Sequence, residues 1–149
     1  MATDNAVTSE DSTLVRSLEE TGELVSRLLP LIREAGCVSL EGPLGAGKTH
    51  FVKALASLIG VTEPVSSPTF TLLHSYHGPI ESLHHSDWYR LESEGEVAGL
   101  GLEEYVGEGL LVIEWGDKFP GLLPKGTLRI RIEPTGESER IISWGGGDK

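Results

Sequence analysis

Apolar residues recur along this chain in two rhythms, and the changes of rhythm divide it into elements. Leu18, Val25, Leu28, Leu29 and Ile32 fall on one stripe of a 3.6-residue period, which predicts an amphipathic helix that buries that face. Ser17, Leu18, Glu19 and Glu20 spell S-x-x-E at its start, a capping box in which Ser17 takes the Glu20 amide and Glu20 reaches back to the Ser17 amide. Pro30 lies inside the same pattern. It lacks an amide hydrogen and crowds the preceding turn, so a kink is expected near Arg27.

The rest alternates between short strands and helices. Cys37 to Leu40 predicts a strand and Lys48 to Ile59 a second helix; Phe70 to Tyr76 and Ile80 to His85 predict two strands joined by a turn at His77-Gly78-Pro79. The second of these, broken by Glu81, Ser82 and histidines, is expected to be half buried, with His74, His77, His84 and His85 on the sheet surface. Glu92 and Leu102 open short, glycine-interrupted helical pieces. Leu110 to Ile113 is continuously apolar, the mark of a strand buried on both faces. Thr127 to Ile132 and Glu139 to Trp144 alternate apolar and polar residues about Gly136-Glu137-Ser138-Glu139, as an antiparallel hairpin does. The order predicts an α/β fold with a mixed sheet, and there is no internal repeat. Residues 1–12 and 145–149 are small and polar and are expected to be flexible tails on a domain at 13–144.

Composition narrows the function. A chain of 149 residues suits one compact domain. Its 23 acidic against 12 basic side chains give a net charge of −11, which repels a nucleic-acid backbone, so any RNA must be held mainly by a partner. The single cysteine, Cys37, has no internal disulfide partner and is expected to be a buried small hydrophobe. The first residues lack a basic and an apolar signal region, and no run approaches the ~18 apolar residues of a membrane span; a cytoplasmic protein with no membrane contact is expected.

The chemistry concentrates in Gly42-Pro43-Leu44-Gly45-Ala46-Gly47-Lys48-Thr49, which fits G-x-x-x-x-G-K-[ST] between an apolar strand and a helix. In such a P-loop the glycines let backbone amides point inward, and the helix N-terminus adds partial positive charge. Lys48 reaches the β and γ phosphates, and Thr49 offers its hydroxyl to Mg²⁺. The expected nucleotide-binding stretch is Gly45, Ala46, Gly47, Lys48, Thr49 and His50. A P-loop also needs an acid at the end of a neighbouring strand. Glu114, after the buried run Leu110 to Ile113, is assigned to the metal, and Asp87 to a position beside the γ phosphate. Trp115, next to Glu114, either packs or lies near the nucleotide.

Absences matter too. The chain has no glutamine and its only asparagine is Asn5, so neither a water-orienting Gln nor a guanine-reading N-K-x-D motif exists, and adenine is the better base. Segment 92–108 holds no Lys or Arg, which gives no support to a small-molecule kinase with a basic lid.

Five blocks together resemble the bacterial TsaE (formerly YjeE) family: Ser17-Leu18-Glu19-Glu20-Thr21, Gly42 to Phe51, Ser66 to Tyr76, His85 to Leu91 and Val112 to Trp115. The resemblance spans about residues 13–144 and implies a single three-layer P-loop NTPase domain. It further implies an ATP- and Mg²⁺-dependent ATPase that works with the TsaB and TsaD proteins in threonylcarbamoyladenosine modification of tRNA, meeting tRNA only through that assembly. On the matching positions it implies a catalytic set of Lys48, Asp87 and Thr69, the last in a switch-like loop Ser67 to Phe70. Thr49 and Glu114 would serve the metal, and Glu20 and Arg140 would flank the adenine. Two positions depart from the family pattern: His50 replaces a second Thr or Ser, and Pro30 interrupts the first helix. A stand-alone kinase and a non-hydrolysing nucleotide-sensing scaffold are the alternatives.

Overall fold

The computed structural model describes residues 11–43, 45–65 and 72–145. Thr69 and the rest of the Ser67–Phe70 loop lie outside the described residues, as do 1–10 and 146–149 of the expected tails 1–12 and 145–149; Asp11, Ser12 and Gly145 are instead paired in strands, which moves the domain bounds outward. The elements run β1 (Asp11–Val15), α1 (Leu18–Ala35), β2 (Cys37–Glu41), α2 (Lys48–Leu58), β3 (Leu73–His77), β4 (Ser82–Asp87), α3 (Glu94–Ala98), β5 (Leu110–Glu114), β6 (Leu128–Pro134) and β7 (Arg140–Gly145). Short 3-10 turns occupy Leu102–Glu104, Gly116–Lys118 and Pro120–Leu122.

All the strands join one seven-stranded mixed sheet in the order β1-β7-β6-β2-β5-β4-β3. The inner strands β6, β2, β5 and β4 are parallel. Antiparallel pairs finish each side, β3 on β4 at one and β6-β7-β1 at the other. Strand alternation sends Val38, Leu40, Leu110 and Val112 to one face, where Leu24, Val25, Leu28 and Ile32 of α1 and Phe51, Val52 and Leu55 of α2 cover them. Cys37, Leu111 and Ile113 turn to the other face, under Trp88, Leu91, Val97 and Leu102. Hence β2 and β5 are buried along their whole length, as the continuous apolar run of β5 predicts. Cys37 is buried, and desolvation pushes its thiol pKa up to about 11.

The first helix corrects three local expectations. Leu18 is 54% exposed and not part of the stripe; Thr21 and Leu24 join Val25, Leu28 and Ile32 instead, since Leu18 is the first helical residue and lies beyond the face that meets the core. Ser17 accepts the Glu20 amide at 3.1 Å as expected, but Glu20 Oε1 accepts from the Arg16 amide at 2.8 Å, one residue before the cap. The helix continues through Pro30. Its missing donor would have served the Ser26 carbonyl, and Ser26, Arg27 and Pro30 are all exposed, so water can take that acceptor.

The larger correction is β4. It runs from Ser82 to Asp87 rather than Ile80 to His85; Ile80 is 63% exposed. Pairing with β5 extends to Asp87 opposite Glu114, and this ladder carries the strand past His85. With β5 on one side and β3 on the other, β4 is internal, so Leu83, His84, His85 and Ser86 are buried where a half-exposed strand was expected. No helix among the described residues is long and apolar enough to cross a membrane.

Candidate nucleotide site

Parallel strands of an open α/β sheet deliver their carboxyl ends to one edge, and ligands bind in the crevice there. Here β2 ends in the loop that begins α2, β4 ends at Asp87 and β5 at Glu114. A cavity of about 330 Å³ opens among them, lined by Gly45, Gly47, Lys48, Thr49, Asp87, Tyr89, Glu114 and Trp115. Thus the loop residues, Asp87 and Glu114, far apart in sequence, share one space. Tyr89 joins them unforeseen; it lies two residues beyond Asp87, and its ring centroid is 5.0 Å from that of Trp115.

Two glycines of the loop adopt backbone that side chains rarely take. Gly42 has φ +144°, and a Cβ there would collide with the Ile132 carbonyl oxygen of β6. Gly47 caps α2 at φ +107°, and a Cβ would come within 2.8 Å of Arg140 Nη1. Both glycines adopt backbone that side chains avoid, and each lets a neighbour approach the loop closely.

Lys48 is buried at the start of α2. Its Nζ donates to the Gly42 carbonyl at 2.7 Å and stands 3.8 Å above the Trp115 ring centroid, a cation–π geometry. Desolvation lowers its pKa, while the charges of Glu114, Asp87 and Asp117 act in the opposite direction. Trp115 holds its place through backbone in the left-handed region, φ +63°, rare for a bulky residue, with its amide donating to the Leu40 carbonyl at 3.4 Å. The sequence left open whether this ring packs or faces the site; it lines the cavity beneath Lys48.

The two acids differ in surroundings. Glu114 is buried, and its Oε2 accepts from His85 Nε2 at 2.6 Å. Asp87 is partly exposed and its Oδ1 accepts from the Tyr89 amide at 2.9 Å, which shapes the turn after β4. A further buried acid, Glu41, belongs elsewhere: it points to the other face of β2, where its Oε2 accepts from Arg129 Nε at 2.6 Å and Ser39 Oγ at 3.2 Å. His85 as the partner of Glu114 was not foreseen. The available signal was its spacing two before Asp87, which places both on one face of a strand.

The remaining candidates lie around this cavity rather than in its lining. Ala46 is buried in the loop, its amide donating to the Pro43 carbonyl at 3.1 Å. His50 Nε2 is 3.4 Å from the Leu18 carbonyl, so this side chain ties α2 to the start of α1. Arg140 lies on the β7 side of β2, with its guanidinium against Gly47 and its Nε buried without a hydrogen-bond partner among the described residues. Glu20 lines a separate groove of about 530 Å³ between β1 and α1, together with Val15, which pairs with Arg140 across the strands.

Comparison with known proteins agrees with this architecture. The family model described as threonylcarbamoyl adenosine biosynthesis protein TsaE matches residues 15–142. The chain belongs to the TsaE family. Among family members named tRNA threonylcarbamoyladenosine biosynthesis protein TsaE, that of Treponema pallidum (strain Nichols) is 43% identical over 132 residues, 86% of this chain and 95% of the relative. The Bacillus subtilis (strain 168) TsaE is 39% identical over 127 residues, 85% of this chain and 79% of the relative. The crystal structure of Bacillus subtilis YdiB superposes with a TM-score of 0.71 at 31% identity, covering 93% of this chain and 86% of that one. Membership of the TsaE family thus ties the chain to tRNA threonylcarbamoyladenosine biosynthesis, and the mixed sheet is the family's α/β fold.

Proposed function

We propose that this chain binds ATP with Mg²⁺ in the 42–49 loop and hydrolyses it, weakly alone and faster in an assembly with TsaB and TsaD that modifies tRNA in the cytoplasm. The observation that carries the reading is the shared cavity: Lys48 and Thr49 at the start of a helix face two carboxylates, Asp87 and Glu114, at the ends of adjacent parallel strands. The residues fit the cofactor. Gly42 and Gly47 hold the loop in positive-φ backbone, and among the described residues no carboxylate is hydrogen-bonded to the Lys48 ammonium.

In this reading Lys48 exchanges its bond to the Gly42 carbonyl for the β and γ phosphates, and loop amides bind the remaining oxygens. Mg²⁺ supplies charge neutralisation across those phosphates. Thr49 and Glu114 hold it, and Asp87 orients the attacking water or a switch segment, with Thr69 the expected polar contact from that loop. Trp115 and Tyr89 form the apolar wall. Glu20 and Arg140, on the opposite side of the loop, are assigned to the base. With a net charge of −11, the chain reaches tRNA through its partners rather than by its own surface.

Calorimetric titration with Mg²⁺-ATP, followed by an ATPase assay with and without purified TsaB and TsaD, tests the proposal. Binding by the isolated chain and turnover that rises on adding both partners is the expected result. Absence of binding overturns the nucleotide assignment. Binding without turnover in the full assembly would make the chain a nucleotide-sensing scaffold.

A further inference from the structure

Two neighbouring histidines on β4 are held in opposite ways. His84 is buried and bonded at both ring nitrogens, Nδ1 with Ser75 Oγ at 2.7 Å and Nε2 with the Glu108 carbonyl at 2.8 Å. It is a satisfied structural histidine. His85 is completely buried, yet its Nδ1 has no hydrogen-bond partner among the described residues. Among the described residues its polar contact is the 2.6 Å bond from Nε2 to Glu114 Oε2. A buried polar atom left bare is unusual enough to require a reason.

Register explains the bond that His85 does make. His85 lies opposite Val112 and Asp87 opposite Glu114, so the His85 bond runs diagonally across the strands to the acid one step nearer the cavity. Side-chain alternation puts His85 and Asp87 on the same face of β4, and Val112 and Glu114 on the same face of β5, the face that carries α2. His85 therefore forms the floor beneath both acids. A carboxylate only accepts, so Nε2 carries the hydrogen, and one oxygen of Glu114 is committed to it.

We infer that His85 is a positioning residue: it holds Glu114 Oε2 so that the other carboxylate oxygen is presented toward the cavity for the metal held at Thr49. This rests on the assignment of Glu114 to Mg²⁺ made above. Partners that orient a metal-binding carboxylate behave as part of the site, and their loss weakens metal affinity without touching the metal.

The test compares His85→Gln, His85→Asn and His85→Leu by titrating Mg²⁺ into the protein–ATP complex, with metal-free ATP affinity and thermal melting measured alongside. The Gln amide nitrogen reaches the position of Nε2, whereas that of Asn is one bond short. His85→Leu and His85→Asn are expected to need about 10-fold more Mg²⁺ while metal-free ATP affinity stays within about twofold, and His85→Gln to recover most of the loss. If the Leu variant does not fold, the contrast between Gln and Asn decides. Equal Mg²⁺ demand in Gln and Asn, or an unchanged demand in a folded Leu variant, overturns the inference. A wild-type chain with no Mg²⁺-dependent ATP binding would instead overturn the nucleotide reading on which it stands.

Discussion

The ends of β4 and β5 lie side by side in register, and each presents a carboxylate to the same cavity, yet they are built differently. Glu114 ends a strand buried on every residue and hands one oxygen to a buried histidine. Asp87 ends its strand partly exposed and spends one oxygen on a local turn. The difference teaches that strand register alone does not assign a role. A carboxylate fixed from below suits a static duty such as holding a metal, because its orientation costs nothing on binding. One on a turn can adjust to a reacting group.

Four measurements can break or sharpen this contrast. The largest effect is expected at Asp87: Asp87→Ala should lower turnover in the TsaB–TsaD assembly by about 1000-fold, while Mg²⁺-ATP affinity falls by less than about threefold. A loss of metal-dependent affinity instead would mean the two acids have exchanged roles. Next, Lys48→Ala removes the cation on which both carboxylates act. ATP affinity should fall about 100-fold in calorimetry, as expected when a charge-assisted contact to phosphate is lost. Unchanged affinity in a folded variant would remove the loop from the site.

Glu114→Ala is expected to raise the Mg²⁺ concentration needed for ATP binding by about 10-fold and to leave metal-free ATP binding almost intact. Parallel titrations with and without Mg²⁺ check it. The smallest effect concerns folding. Glu114→Ala strips His85 of its bond to the carboxylate, whereas Asp87→Ala frees a turn amide that water can reach. Urea denaturation without nucleotide should therefore find Glu114→Ala less stable than Asp87→Ala by about 1 kcal/mol. Equal stability would show that the His85–Glu114 bond does not tighten the fold.

What sequence could reveal followed from how local each signal is. Helix α2, the loop before it and the buried strand β5 were readable because each is specified by contiguous residues: three glycines with a lysine and threonine, an apolar helix, an uninterrupted apolar run. Their assembly into a mixed α/β sheet followed from the order of these elements. β4 was harder. Serine and histidines look like a strand exposed on one face, and only two partner strands, contributed by residues remote in sequence, make Ser86, His84 and His85 interior. The exposure of Leu18 is hidden from the sequence for a related reason, since periodicity defines a stripe but not which rotation of the helix meets the sheet.

The sequence by itself determined the chemistry on offer: a G-x-x-x-x-G-K-T loop, two candidate acids, an excess of acidic side chains and no glutamine. The tertiary structure alone decided how those groups meet. It set Asp87 against Glu114, turned the Trp115 ring under Lys48, and drew His85 from a supposed surface to the floor of the site. The physical reason is the range of the interactions. Backbone preference and side-chain period act within a few residues and are written in the local string. Burial, diagonal contacts and the pairing of a buried donor with a buried carboxylate depend on which strands become neighbours, and that is settled only when the whole sheet closes over its two layers.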